Sequence, residues 1–197
     1  MNKLLNIFAV LLTLAPIAAW GSNFIKEERF VEKFADDAIM ILSNEQISKD
    51  EKNDQFTNLV MSAIDLNLIS QFVLSKTWKS ATDDQKERYI SAFKTYFINS
   101  YANKLDQYSD EKIIVNEAEE AGKYVIVDTN IVREGTDTLK INLKWRLINK
   151  NGDIKIIDLN IEGISLVIAQ REEFQSFLAN NDGDLEALIA KIVSVSD

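Results

Sequence analysis

Three carboxylates stand in strand-like sequence, where a general acid or base would need support from a rigid element. Asp128 lies between Val127 and Thr129, and Asp158 and Glu162 alternate with Ile157, Leu159 and Ile161. A catalytic carboxylate works by having its pKa raised in a dry, apolar site, so the face it occupies decides its role. Successive strand side chains point to opposite faces. The alternation therefore turns all three away from the apolar face, where carboxylates are solvated or salt-bridged. Ser165 comes two residues after Gly163, but no nucleophile elbow surrounds it and the chain has no histidine to activate its hydroxyl. Glu117, Glu119 and Glu120 form a charge run without the spaced loop of a calcium site. The glycines are scattered as turn formers and build no phosphate cradle. With neither cysteine nor histidine, zinc, copper, haem and thiol chemistry lose their commonest ligands and nucleophiles. The chain reads as a non-enzyme without metal or cofactor, and its functional chemistry must lie in its apolar surfaces.

Those surfaces belong to elements that alternation and periodicity define. Residues 139–148 and 154–161 read as two strands joined by the turn 149–153. On the first, Leu139, Ile141, Leu143, Trp145 and Leu147 alternate with Lys140, Asn142, Lys144 and Arg146, the pattern of a sheet wet on one face. Residues 112–119 and 124–133 precede them as an edge strand and its neighbour, with a hairpin turn at 134–137. On the N-terminal side, residues 24–44 carry Ile25, Val31, Phe34, Ala35, Ala38, Ile39 and Leu42 at spacings of three and four, an amphipathic helix. A second helix follows with Phe56, Leu59, Val60 and Ile64 as its stripe, then a short helix over 65–74 capped by Asp65. Thr82-Asp83-Asp84-Gln85 is a capping box. It opens the longest helix, 82–105, whose stripe of Tyr89, Phe93, Tyr96, Phe97, Ile98, Tyr101 and Leu105 predicts a stiff apolar wall laid across the sheet. Helices over 165–179 and 184–193 complete the chain. The fold class is α+β: a curved antiparallel sheet of about four strands with helices packed on one face and a helical extension.

The chain has 197 residues, which suits a single domain over 22–197, helical over 22–110, a sheet over 111–162 and helical again over 163–197. Residues 1–21 stand apart. Lys3 precedes an apolar run ending in Ala18-Ala19-Trp20-Gly21, a secretory signal peptide with cleavage expected after Ala19 or Gly21. Export without a single cysteine points to a bacterial periplasm. The net charge of −9, one unit more negative once Lys3 is removed, repels nucleic acid and keeps contact with anionic membranes transient. The protein is expected to be monomeric.

If the sheet and the aromatic helix close on each other, they make an ordinary core. If they stand apart, the gap is an apolar pocket that an acyl chain fills better than water. Each buried methylene contributes about 0.8 kcal/mol, so a long acyl chain needs few polar contacts to bind. Periodicity alone leaves both arrangements open.

Three segments resemble a known family: WKSATDDQKERYISAFKTYFINSYANKLDQYSDE at 78–111, LKWRLINKNGDIKIIDLNIEGISLVIAQREEF at 139–174, and NDGDLEALIAKI at 181–192. They look like the MlaC, or toluene-tolerance, family of periplasmic phospholipid carriers, and the likeness runs from about residue 65 to 192. The departure is Ser75, where the family often has glycine before the W-x-x-A-T-x-x-Q segment. The resemblance implies an NTF2-like fold that holds phospholipid tails in a pocket, with the lipid as cargo and no cofactor. It implies a shuttle between an outer-membrane lipoprotein complex and the MCE-domain subunit of an inner-membrane ABC transporter, preserving outer-membrane lipid asymmetry. Carried over position by position, it assigns the lining to Phe72, Leu74, Trp78, Phe93, Phe97, Tyr101, Val125, Val127, Leu143, Trp145, Leu159, Ile161, Ile164, Leu166 and Val167. Arg171 is its candidate for a headgroup phosphate, with a structural ion pair as the alternative. Competing with the carrier are an NTF2-like isomerase or hydratase acting on an apolar small molecule, which needs a carboxylate inside the cone, and a structural adaptor.

Overall fold

A computed structural model describes residues 23–102, 111–133 and 140–196. In chain order its elements are α1 (Ile25–Leu42), α2 (Lys49–Ala63), α3 (Leu66–Leu74), α4 (Lys76–Ser80), α5 (Asp83–Ala102), β1 (Glu111–Ala121), β2 (Tyr124–Arg133), β3 (Lys140–Lys150), β4 (Asp153–Ile161), β5 (Ile164–Ser165), α6 (Leu166–Ala179) and α7 (Leu185–Ser196). The strands form one antiparallel sheet in the order β1-β2-β3-β4-β5. The fifth strand, beyond the expected four, is only two residues long, and the additional helix is the single-turn α4.

Local chemistry sets the boundaries. The Thr82 box closes in both directions: the Gln85 amide N donates to Thr82 Oγ1 at 3.2 Å, and the Thr82 amide N donates to Gln85 Oε1 at 3.0 Å. Asp65 Oδ1 accepts from the Leu68 amide at 2.9 Å to start α3, and Ser48 and Ser165 cap α2 and α6 in the same way. The β3–β4 hairpin turns on Asn151 and Gly152, at φ 57° and 93°, the left-handed pair that a type I′ turn requires. Glu162 and Gly163, at φ 51° and 87°, repeat the device between β4 and β5.

The sheet buries one face. Cross-strand pairs Val125–Leu147, Val127–Trp145 and Thr129–Leu143 align with Trp145–Leu159 and Leu143–Ile161, which puts one apolar set on the same side of three strands. Helix α1 lies over β1 and β2, while α3 and α6 pack along β4. The aromatic helix α5 packs chiefly on α7, with lesser contact to α2 and α3. The expectation that α5 lies across the sheet is therefore corrected: α1 takes that place, setting the Phe34 ring edge-on to Trp145 at 5.5 Å. The aromatics of α5 instead meet α6, where Phe93 and Tyr96 lie 6.1 and 5.9 Å from Phe174. Tyr89 is fully buried, donates to the Ser70 carbonyl at 3.1 Å, and has its phenol pKa pushed well up by burial.

Candidate functional site

The apolar face of the sheet is densely covered at its centre and less so at both ends. Leu147, Trp145 and Leu143 are 0%, 3% and 6% exposed. Further along, Ile141 is half-buried and Ile161, beside Leu143 on β4, is 38% exposed. At the opposite end a cleft of about 350 Å³ opens between α1, α2 and the start of β4. Phe30 and Phe34 of α1, Leu59 and Ala63 of α2, and Ile154 of β4 supply its apolar walls. Its mouth is charged. Lys33 pairs with Asp37 at 2.7 Å, and Lys155 reaches both Asp153, at 3.2 Å, and the Ser62 carbonyl, at 2.7 Å. The volume falls in the range of roughly 300–1,000 Å³ typical of ligand pockets, and apolar walls with polar groups confined to the rim suit an amphiphile.

One polar relay crosses the buried face. Trp145 Nε1 donates to Thr129 Oγ1 at 3.0 Å, and that hydroxyl donates to the Leu143 carbonyl at 2.8 Å. Both residues are buried, so the relay leaves the face apolar without orphaning a donor. The described residues have no buried side-chain polar atom without a partner, and no group of acidic residues among them is placed to hold a metal ion.

The carboxylates resolve differently from one another. Asp128 sits on the far face, accepting from Asn116 and Asn142 at 2.6 and 3.1 Å and pairing with Lys144 at 3.2 Å. Burial raises its pKa, but these donors outweigh burial and hold it below the usual range. Glu162 is exposed and accepts from the Asn142 amide. Asp158 meets the salt-bridged part of its expectation, with Arg146 at 4.0 Å, but departs from a surface position, being only 6% exposed. It does point away from the apolar face, but α3 and α6 cover its end of the sheet. Its oxygens accept from Ser165 Oγ at 2.7 Å and the Val167 amide at 3.2 Å, and Arg146 lies 4.0 Å away. Asp158 thus fastens the start of α6 to β4. Its acceptors are committed to that junction, so its burial gives no support to an acid or base role.

The family-assigned lining residues separate into groups. Val125, Val127, Leu143, Trp145, Leu159 and Ile161 share the apolar face of the sheet. Leu74 and Phe93 are buried in the same core, and Trp78 and Phe97 pack against it half-buried. Phe72 and Val167 line a separate cavity of about 90 Å³ on the other side of β3 and β4. Ile164 is 63% exposed and Leu166 is half-buried. The side chain of Tyr101 lies outside the described residues, as do residues 1–21 and the turn at 134–137. Arg171 stacks on Phe72 at 4.8 Å and donates to Ser75 Oγ at 3.0 Å. Residues of the 350 Å³ cleft are absent from the family-derived set. Their sequence signal was the spacing of Phe30 and Phe34, which places two aromatic rings one above the other on α1.

The family model described as MlaC protein matches residues 32–194. The chain belongs to the MlaC family. Among its MlaC-family relatives, it is 25% identical over 190 residues to the intermembrane phospholipid transport system binding protein MlaC of Haemophilus influenzae, spanning 93% of this chain and 86% of that protein. It is also 25% identical over 138 residues to the toluene tolerance protein ttg2D of Pseudomonas putida, spanning 69% of this chain and 63% of that one. The MlaC-family fold is shared with a phospholipid-binding protein from Ralstonia solanacearum solved in complex with a phospholipid. That match has a TM-score of 0.75 at 18% identity and covers 86% of this chain and 96% of the other.

Proposed function

We propose that this MlaC-family chain is a non-catalytic phospholipid carrier whose acyl tails lie against the apolar face of the sheet and enter beneath α1 and α2. The observation that carries this reading is the cleft of about 350 Å³ at the β4 end of that face, with apolar walls from Phe30, Phe34, Leu59, Ala63 and Ile154 and its charges at the mouth. The two lysine–aspartate pairs at the rim can meet a headgroup while the tails remain dry. Val125, Val127, Leu143, Trp145, Leu159 and Ile161 form the floor, with Leu74, Phe93 and Phe97 behind it. Similar proteins support the same reading, one as the binding protein of an intermembrane phospholipid transport system and one solved in complex with a phospholipid. The carrier works in the periplasm, exported by a cleaved signal peptide at residues 1–21. It exchanges lipid between an outer-membrane lipoprotein complex and the MCE-domain subunit of an inner-membrane ABC transporter, which preserves outer-membrane asymmetry. Among the described residues no helix is long and apolar enough to cross a membrane.

Native mass spectrometry of the protein, purified without detergent from a bacterial envelope, tests the reading. The expected spectrum shows a phospholipid adduct, and Ser62→Trp, which places an indole in the cleft from the exposed side of α2, reduces that adduct while melting with the wild type. A protein that is empty in every preparation and takes up no lipid from vesicles overturns the proposal.

A further inference from the structure

The 90 Å³ cavity on the other side of the sheet is lined by Phe72 and Val167, which the family resemblance gives to the tails, but it shares no residue with the cleft proposed for them. Arg146 and Asp158 face each other across β3 and β4, on the side opposite the Trp145–Leu159 pair. The cavity lies between that side, α3 and α6. It is too small for a lipid or a drug-sized ligand, whose pockets run to roughly 300 Å³ and above. It suits one side chain. Its lip is apolar and exposed: Phe72 is 44% exposed and Ile168 43% exposed.

Charge distinguishes this hole from the rest of a chain whose net charge is −9. Arg146 stands at the lip with its side chain 42% exposed, 4.0 Å from an Asp158 whose oxygens already serve Ser165 and Val167. On the other flank Arg171 lies over the Phe72 ring and bonds the neutral Ser75 hydroxyl, and among the described residues it pairs with no carboxylate. Two guanidinium groups with donors to spare therefore flank a socket walled by Leu68, Ile69, Phe72, Ile157 and Ile168, in which the one carboxylate, Asp158, is held by Ser165, Val167 and Arg146. A buried anchor side chain ringed by complementary charge is how protein interfaces concentrate affinity.

We propose that this cavity is a protein docking site that takes one aliphatic or aromatic side chain of a partner, with carboxylates beside that anchor meeting Arg146 and Arg171. A concave socket of this size fits a side chain better than it fits a bilayer, which binds protruding apolar groups. A second copy of the chain is opposed at long range by its own negative charge. Because the socket and the tail cleft lie on opposite sides of the sheet, docking and lipid loading are tested independently.

The probe is a phage-displayed library of random twelve-residue peptides panned against the full chain, with enriched sequences synthesised and titrated by calorimetry. Enrichment of Leu, Ile, Phe or Trp flanked by Asp or Glu is expected. Ile168→Glu and Arg146→Gln should each weaken those peptides by about tenfold, more than truncation of most interface residues costs. Phospholipid adducts should stay as in the wild type, and so should the melting temperature of Ile168→Glu, while Arg146→Gln melts somewhat lower for want of its ion pair with Asp158. If Ile168→Glu melts early, Ile168→Ala replaces it, with a loss of about threefold expected. The proposal is overturned if no such consensus emerges or if affinity is unchanged in the variants. It is also overturned if the variants instead abolish binding to phosphatidylglycerol vesicles or abolish a concentration-dependent dimer, which would identify a membrane surface or a second copy as the occupant.

Discussion

Thr129 holds a hydroxyl in the middle of an apolar wall, and its two partners explain why it is tolerated there: the Trp145 indole donates to it and the Leu143 carbonyl accepts from it. Thr129→Val keeps the shape but leaves a buried indole N–H without an acceptor, at a cost of about 1–3 kcal/mol. Thr129→Ser keeps the relay and loses only a methyl, at about 0.8 kcal/mol. Urea titration followed by tryptophan fluorescence should show valine as the more damaging change, and equal midpoints would remove the relay's role. On the surface, Glu186 accepts from Arg88 through both oxygens at 2.7 Å and from Gln85 at 3.1 Å, joining the first turn of α7 to the first two turns of α5. Those hydrogen bonds, Arg88 foremost, lower the Glu186 pKa from 4.5 to about 2. Because the folded-state pKa is the lower one, the clamp contributes its full stability above pH 4.5 and loses it as pH falls towards 2. Both side chains are about half exposed, at 45% and 50%, so salt screens the pair. Glu186→Gln should flatten the decline of melting temperature with pH in that window at low ionic strength, and a decline identical to the wild type would exclude the clamp.

Ser75 joins α3 to α4 at φ 58° and ψ −126°, a region that glycine enters freely and other residues enter at a cost of about 1–3 kcal/mol. Its hydroxyl bonds Arg171, so Ser75→Gly alone would mix relief of strain with loss of that bond. Comparing Ser75→Gly with Ser75→Ala isolates the backbone, since both lack the hydroxyl. The glycine variant should be the more stable by about 1–2 kcal/mol in chemical denaturation, and equal stability would show that the junction relaxes. The elements that sequence locates most sharply are those set by neighbours a few residues apart. The Thr82 box, the Asp65 cap and the Asn151-Gly152 turn all stand where their residue types place them. Asp158 is the complementary case: the alternation gives its face and allows its ion pair, but not its burial. The pairing register slips between Arg146 and Leu147, leaving Ile156, Ile157 and Asp158 buried in succession, and the cover over Asp158 comes from distant α3 and α6. The choice of α1 rather than α5 to lie over β1 and β2 is likewise a matter of long-range packing, to which two amphipathic stripes of similar quality are blind.

At the scale of the whole molecule, a curved sheet is covered by helices on its apolar side and anchored to a second helical layer along β4. The centre of the apolar face is as dry as any core, and the cleft under α1 and α2 opens at its edge, where Ile154 of β4 meets Phe30 and Phe34 of α1. Under the proposed carrier function, tails entering the cleft would exchange one form of burial for another, spreading along a wall that is already apolar as α1 and α2 part from it. The lipid-loaded chain should therefore melt higher than the delipidated one. At a free lipid concentration one hundred times its Kd the gain is about 2.7 kcal/mol, which for a chain of this size is a rise of roughly 5–11 °C. Calorimetry before and after extraction with organic solvent, followed by reloading from phosphatidylethanolamine vesicles, measures it. In Ser62→Trp the difference between loaded and extracted samples should vanish, because the indole occupies the opening while leaving the buried wall intact. If Ser62→Trp keeps the full difference, the tails reach the sheet from the Ile141–Ile161 end instead. If the wild type shows no difference and retains no phospholipid, the apolar face is a closed core and the carrier reading falls.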